Sequence, residues 1–146
     1  MTDLLIRATA ALNNAGPDAV LTHHTALALY GCQAADQHVV HVLVPDRRRV
    51  RSRPGVDVHH GTFAKGDVEN LYGLRVLALD HALAQVLCRE TSAVALACFD
   101  QAIERYPPDH RGLFAERVGR CIRARPDTRG QRKALSLLRS CYRLAG

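Results

Sequence analysis

Apolar side chains recur at helical spacing at both ends of the chain and crowd together in its middle. Between Thr2 and Asn14, Leu4, Leu5, Ala8, Ala11 and Leu12 fall on one face of a helix that Thr2 or Asp3 can cap. Gly16-Pro17 ends that helix. Thr22 opens a second, shorter helix that ends at Tyr30, with Gly31 standing where a left-handed residue is favoured. His38 to Val44 is a nearly unbroken apolar run rich in valine and closed by Pro45, which predicts a buried strand. Val56 to His60 alternates apolar and polar side chains and predicts a second strand, and Tyr72-Gly73 turns into a third, Leu74 to Leu77.

Beyond Leu77 the pattern is helical. Asp80 is a cap for a helix to Arg89, and Thr91 or Ser92 for a helix carrying the stripe Ala95, Leu96, Phe99, Ala102, Ile103 and Tyr106. Pro107-Pro108 breaks that helix. Asp109 caps the next, whose Phe114, Val118, Cys121 and Ile122 face inward until Arg125-Pro126. The last helix, from Gly130 to Tyr142, buries Leu135, Leu138, Cys141 and Tyr142. The expected fold class is α+β: N-terminal helices, a small, mostly antiparallel sheet of about three strands, and a C-terminal bundle of four helices, forming a single domain over residues 1–146.

Charge changes this picture at one end. From Met1 to His110, ten Lys or Arg stand against twelve Asp or Glu, net −2, whereas from Arg111 to Gly146 the count is ten against two, net +8. Such asymmetry points to a polyanionic partner, most often nucleic acid, or to a solvated basic surface. The candidate contacts are Arg47, Arg48, Arg49, Arg51 and Arg53, on the loop of what reads as a hairpin, with Arg117, Arg120, Arg132, Arg139 and Arg143 on the last helices. No apolar run approaches the ~20 residues of a membrane span and no signal peptide is evident, so a soluble cytoplasmic protein is expected. Cys32, Cys88, Cys98, Cys121 and Cys141 are odd in number and widely spaced, which fits apolar packing rather than disulfides or a zinc knuckle.

No catalytic or cofactor motif is present. The glycines are isolated, Gly-Lys-Ser/Thr does not occur, and neither His-Glu-x-x-His nor Gly-x-Ser-x-Gly is found, so no catalytic residue, metal or cofactor is assigned. Among the eight histidines, His23, His24, His41, His59 and His60 share one region, but adjacent His59 and His60 point to opposite faces of a strand. A site built on His41 and one of them lacks a third ligand specified by sequence, and these histidines read as structural. His81, at a helix start, is the one singled out for a polar role. Asp57, Asp67, Asp80 and Asp100 are dispersed along the chain and read as separate carboxylates.

Leu21-Thr22-His23-His24-Thr25-Ala26 through Gly31, His41-Val42 to Pro45, the arginines from Arg47 to Arg53, and Pro54-Gly55-Val56-Asp57-Val58-His59 follow in an order that resembles the central domain of AbiEi-type antitoxins. The family includes actinobacterial members with a very-short-patch-repair-like endonuclease tail. The resemblance runs from about Ala19 to Arg143, taking in Gly73-Leu74-Arg75-Val76 and the helix Ala97-Cys98-Phe99-Asp100-Gln101-Ala102. It departs at Leu77, Leu79, His81, Ala82 and Gln85, which replace polar family residues and proline. Relatives begin with a DNA-binding winged helix-turn-helix, and this chain resembles the middle piece alone. The resemblance implies a non-catalytic antitoxin, part of a toxin–antitoxin system with transcription regulation, that opposes a nucleotidyltransferase-type toxin. The alternative is a charge-driven nucleic-acid-binding or regulatory protein that uses the arginine loop and the basic helices.

Overall fold

Strand pairing organises the chain into a five-stranded mixed sheet in which Val56–His60, Val40–Val44, Val20–Leu21, Leu74–Leu77 and Val68–Leu71 lie side by side in that order. The computed structural model describes residues 2–35 and 37–142. Its helices are α1 (Thr2–Ala15), α2 (His23–Leu29), α3 (Leu79–Arg89), α4 (Ser92–Ile103), α5 (Arg111–Ala124) and α6 (Gln131–Cys141); its strands are β1 (Val20–Leu21), β2 (Val40–Val44), β3 (Val56–His60), β4 (Val68–Leu71) and β5 (Leu74–Leu77). The α+β class stands. The expected three, mostly antiparallel strands do not, because β1 and β4 are added and two of the four strand pairings are parallel.

The largest consequence falls on the arginine loop. β2 and β3 pair in parallel, Val40 opposite Val56 and Val44 opposite His60, so residues 45–55 are not a hairpin tip. They form a crossover that returns the chain along the length of β2, and the 11 residues available suit that task, which no tight turn can perform. Near its end Gly55 takes φ +82°, and the Arg53 and Val56 backbones exchange hydrogen bonds of 2.9 and 3.0 Å.

β1 is only two residues long yet stands in the middle of the sheet. Val20 faces Leu43 and Leu77 on one side, while Leu21 joins the main core on the other. β4 and β5 form a true hairpin whose Tyr72-Gly73 corner has φ of +54° and +78°, the pattern of a two-residue primed turn. α1 packs on β1 and β2, and α2 on β2 and α3. α3 is the hub of the helical part, touching α2, α4, α5 and α6. Leu83 and Leu87 on α3, Phe99 on α4, Phe114 and Ile122 on α5 and Leu138 on α6 are all buried in one continuous core.

Several local expectations shift. α3 starts at Leu79, leaving Asp80 in its first turn rather than at the cap, and Asp109 lies in a 3-10 turn ahead of α5. Cys32, Cys88 and Cys98 are buried, but Cys121 and Cys141 are half-buried. α6 buries only Ala134 and Leu138, so Leu135 and Tyr142 also remain partly exposed.

Gly130 sets the approach of α6 to α3. Its φ is +78°, and a Cβ there would press into the Cys88 carbonyl, whereas Gly55, with a similar φ, has open space around it. Gly130→Ala is therefore expected to lose more than about 2 kcal/mol, and Gly55→Ala about 1 kcal/mol, in urea unfolding.

Candidate functional site

The loop arginines emerge on the crossover and all five are exposed. Two of them are engaged: Asp18 Oδ2 accepts from Arg47 at 3.1 Å and from Arg48 at 3.0 and 2.6 Å. The hydrogen bond from Arg48 is the main reason the Asp18 carboxyl is held below its usual pKa. Arg49, Arg51 and Arg53 have no carboxylate partner among the described residues. Arg120, Arg132 and Arg139 are likewise exposed and unpaired among the described residues, on α5 and α6. Arg143 lies outside the described residues.

Arg117 differs from the other candidates. It is half-buried, its guanidinium lies 5.7 Å from the ring centres of both Tyr106 and Phe114, and Nε stands 3.8 Å from Asp80 Oδ2. This arginine is turned into a polar cleft of about 340 Å³ between the β4 end of the sheet and the starts of α3 and α5. There His81 Nε2 meets Asp67 Oδ1 at 3.1 Å, and the Tyr30 hydroxyl donates to Glu69 Oε2 at 2.7 Å. Arg105 donates to the Tyr30 carbonyl and lies over the Tyr30 ring. Burial, then the bond to Glu69, pushes the Tyr30 pKa up. Burial, reinforced by Asp80 and Asp67, pushes the Cys121 thiol to about 12, so it stays protonated at neutral pH.

Of the four carboxylates that read as dispersed, Asp67 and Asp80 meet here with Glu69, each facing a basic side chain or a hydroxyl, while Asp57 on β3 and Asp100 on α4 stay apart. Donor atoms of Asp80, His81 and Cys121 lie within 4.8 Å of one another, the one such set of three among the described residues. Because each charge has a partner, the cleft acts as a clamp joining β4, α3 and α5. The polar role singled out for His81 is this contact with Asp67. Glu69, Tyr30 and Arg105 were missed because β4, which delivers Glu69, is too short and too polar to announce itself as a strand.

A second grouping joins four histidines. His23 and His24 sit on the first turn of α2, His41 on β2 and His59 on β3. Ring centres are separated by 4.1 Å for His23 and His59, 5.3 Å for His41 and His59, 5.4 Å for His24 and His41, and 5.6 Å for His23 and His41. Burial is the leading cause that lowers the pKa of all four, His41 to about 4, so the rings are neutral at pH 7. His60 is directed away and bonds the Arg48 carbonyl. Sequence supplied the residues of this quartet but not the parallel register that lays β3 beside β2.

If the cleft is a clamp, Asp67→Asn should lower stability by about 0.5 to 1 kcal/mol in urea unfolding, the modest cost of weakening a partly exposed polar contact.

No protein-family model matches the chain, and no curated protein matches it. Among solved structures it is similar to the crystal structure of the RV2827C protein from Mycobacterium tuberculosis, with a TM-score of 0.57 at 20% identity over 93% of this chain and 52% of that one. At that identity the likeness is one of fold, and the chain spans about half the length of its neighbour.

Proposed function

We propose that this chain is a non-catalytic, antitoxin-like module whose working surface is its unpaired arginines and whose direct partner is a nucleic acid. The observation that carries this reading is the exposure of Arg49, Arg51 and Arg53 on the crossover and of Arg120, Arg132 and Arg139 on α5 and α6. In the cleft, and at Asp18, cations are matched by carboxylates of the same chain. Among the described residues the six arginines are not, and like charges gathered on one loop repel until an anion arrives. Arg117 is withdrawn from the contact set because its guanidinium is occupied by two aromatic faces and Asp80. Arg47 and Arg48 bind a phosphate only in competition with Asp18.

A role in toxin neutralisation is supported by the order of residues from Leu21 to Gly61, which resembles AbiEi-type antitoxins. It requires no catalytic group in this chain. Relief of growth arrest on co-expression with a neighbouring nucleotidyltransferase-type toxin supports that role, and unrelieved arrest counts against it.

Nucleic-acid binding has a sharper test. With about four phosphates neutralised, affinity for duplex DNA or RNA should fall roughly a hundredfold between 50 and 200 mM salt. Fluorescence anisotropy on a labelled duplex measures it. The triple variant Arg49→Ala, Arg51→Ala, Arg53→Ala should flatten the slope of log affinity against log salt by about 2 to 3, with little preference among sequences lost. Binding that is absent, or that does not respond to salt, rejects the reading. Asp18→Asn, which frees Arg47 and Arg48, should tighten binding severalfold.

A further inference from the structure

His23 is one of only two non-glycine residues with positive φ among those described, at +50°. Backbone strain of that kind at a buried histidine asks for a reason. Its ring is deep in the protein, and its Nε2 has no hydrogen-bond partner among the described residues. With Gln85 and Gln37 presenting their amide oxygens, the hydrogen bonds leave two ring nitrogens of the quartet bare. Thr22 Oγ1 spends its proton on Gln85 Oε1, so it can only accept from His23 Nδ1, 3.3 Å away. His23 therefore carries its proton on Nδ1 and keeps an unused lone pair on Nε2. At His41 the same logic holds: Gln37 Oε1 accepts from Nε2 at 2.9 Å, leaving a bare Nδ1. That Nδ1 lies 3.0 Å from His59 Nε2.

We infer that His23, His41 and His59 form a binding site for a borderline divalent transition-metal ion of the zinc and cobalt class. Two ligands of a tetrahedral ion with bonds of ~2.0 to 2.1 Å stand ~3.3 Å apart, close to the His41–His59 separation. The outer contact of His41 matches the usual support of a metal-bound imidazole, in which the second ring nitrogen is held by a protein oxygen: Gln37 Oε1 accepts from His41 Nε2. On entry of the ion the proton that His59 Nε2 donates to His41 Nδ1 passes through solvent to His59 Nδ1, which keeps that ring neutral, and His23, stacked on His59 at 4.1 Å, turns about its side-chain bonds to bring Nε2 into the first shell. His24, whose Nε2 stands 3.4 Å from Glu90 Oε1 without hydrogen-bond geometry, and Asp57, opposite His41 in the sheet, supply the nearest further donors and negative charge. Arg89 opposes the ion's charge from α3.

The test uses the full chain stripped of metal and titrated with Co²⁺ or Zn²⁺ alone. One equivalent of Co²⁺ should bind with visible d–d bands of a four- or five-coordinate ion and no near-ultraviolet thiolate charge-transfer band. His59→Gln, at a half-buried strand position that tolerates the change, should weaken binding at least about a hundredfold, and Gln37→Ala about tenfold, while Cys121→Ser leaves it intact. Absence of stoichiometric binding overturns the inference, as does wild-type affinity in His59→Gln. A charge-transfer band that Cys121→Ser abolishes also overturns it, since that places the ion on Asp80, His81 and Cys121.

Discussion

Two residues in the middle of the sheet hold its two halves together. Val20 and Leu21 pair antiparallel with β2 on one side, and Leu21 pairs in parallel with Val76 of β5 on the other. β2 brings β3 and the arginine crossover; β5 leads directly into α3 and the helical hub. The buried face of β1 therefore couples the sheet edge that carries the crossover to the helices that carry most of the positive charge. Its next residue, Thr22, donates its backbone N–H to the His41 carbonyl at 3.1 Å and starts α2. That bond, with the one of 2.8 Å that the His41 N–H donates to Thr25 Oγ1, sets the first turn of α2 against β2 and so brings the histidine quartet together.

Long periodic segments were legible. The stripe of α1, the buried run of β2 and the alternation of β3 follow from side-chain periodicity, and Gly31 at φ +96° ends α2 as a left-handed residue should. What escaped were short elements whose pairing is decided by tertiary contact. Val20–Leu21 has no room for a period, and Val68-Glu69-Asn70-Leu71 is half polar because it lies along a sheet edge beside the cleft. Parallel pairing of β2 and β3 was hidden for a different reason. A loop of 11 residues suits both a long hairpin and a short crossover, and nothing in Pro45 to Gly55 distinguishes them.

The candidate site divides along the same line. Exposed arginines could be named because charge is local to the residue, yet which of them are already neutralised depended on where Asp18 and Asp80 landed. Arg117 shows the difference: its place in a basic helix suggests an outward role, and its aromatic neighbours turn it inward. The cleft and the quartet arise where sequence-distant residues meet, Asp67 with His81, and His23 with His59. No local pattern announces such meetings.

Folding in this protein thus sets Asp18, Asp67, Asp80 and Glu69 against internal partners, whereas Arg49, Arg51, Arg53, Arg120, Arg132 and Arg139 stay exposed without a carboxylate among the described residues. Arginine side-chain NMR on the labelled chain, titrated with a short nucleic-acid duplex, tests that division most directly. The account predicts that Nε–Hε signals of Arg49, Arg51, Arg53, Arg120, Arg132 and Arg139 move while those of Arg105 and Arg117 stay fixed. Shifts concentrated at Arg105 and Arg117, or at none of the arginines, would contradict it.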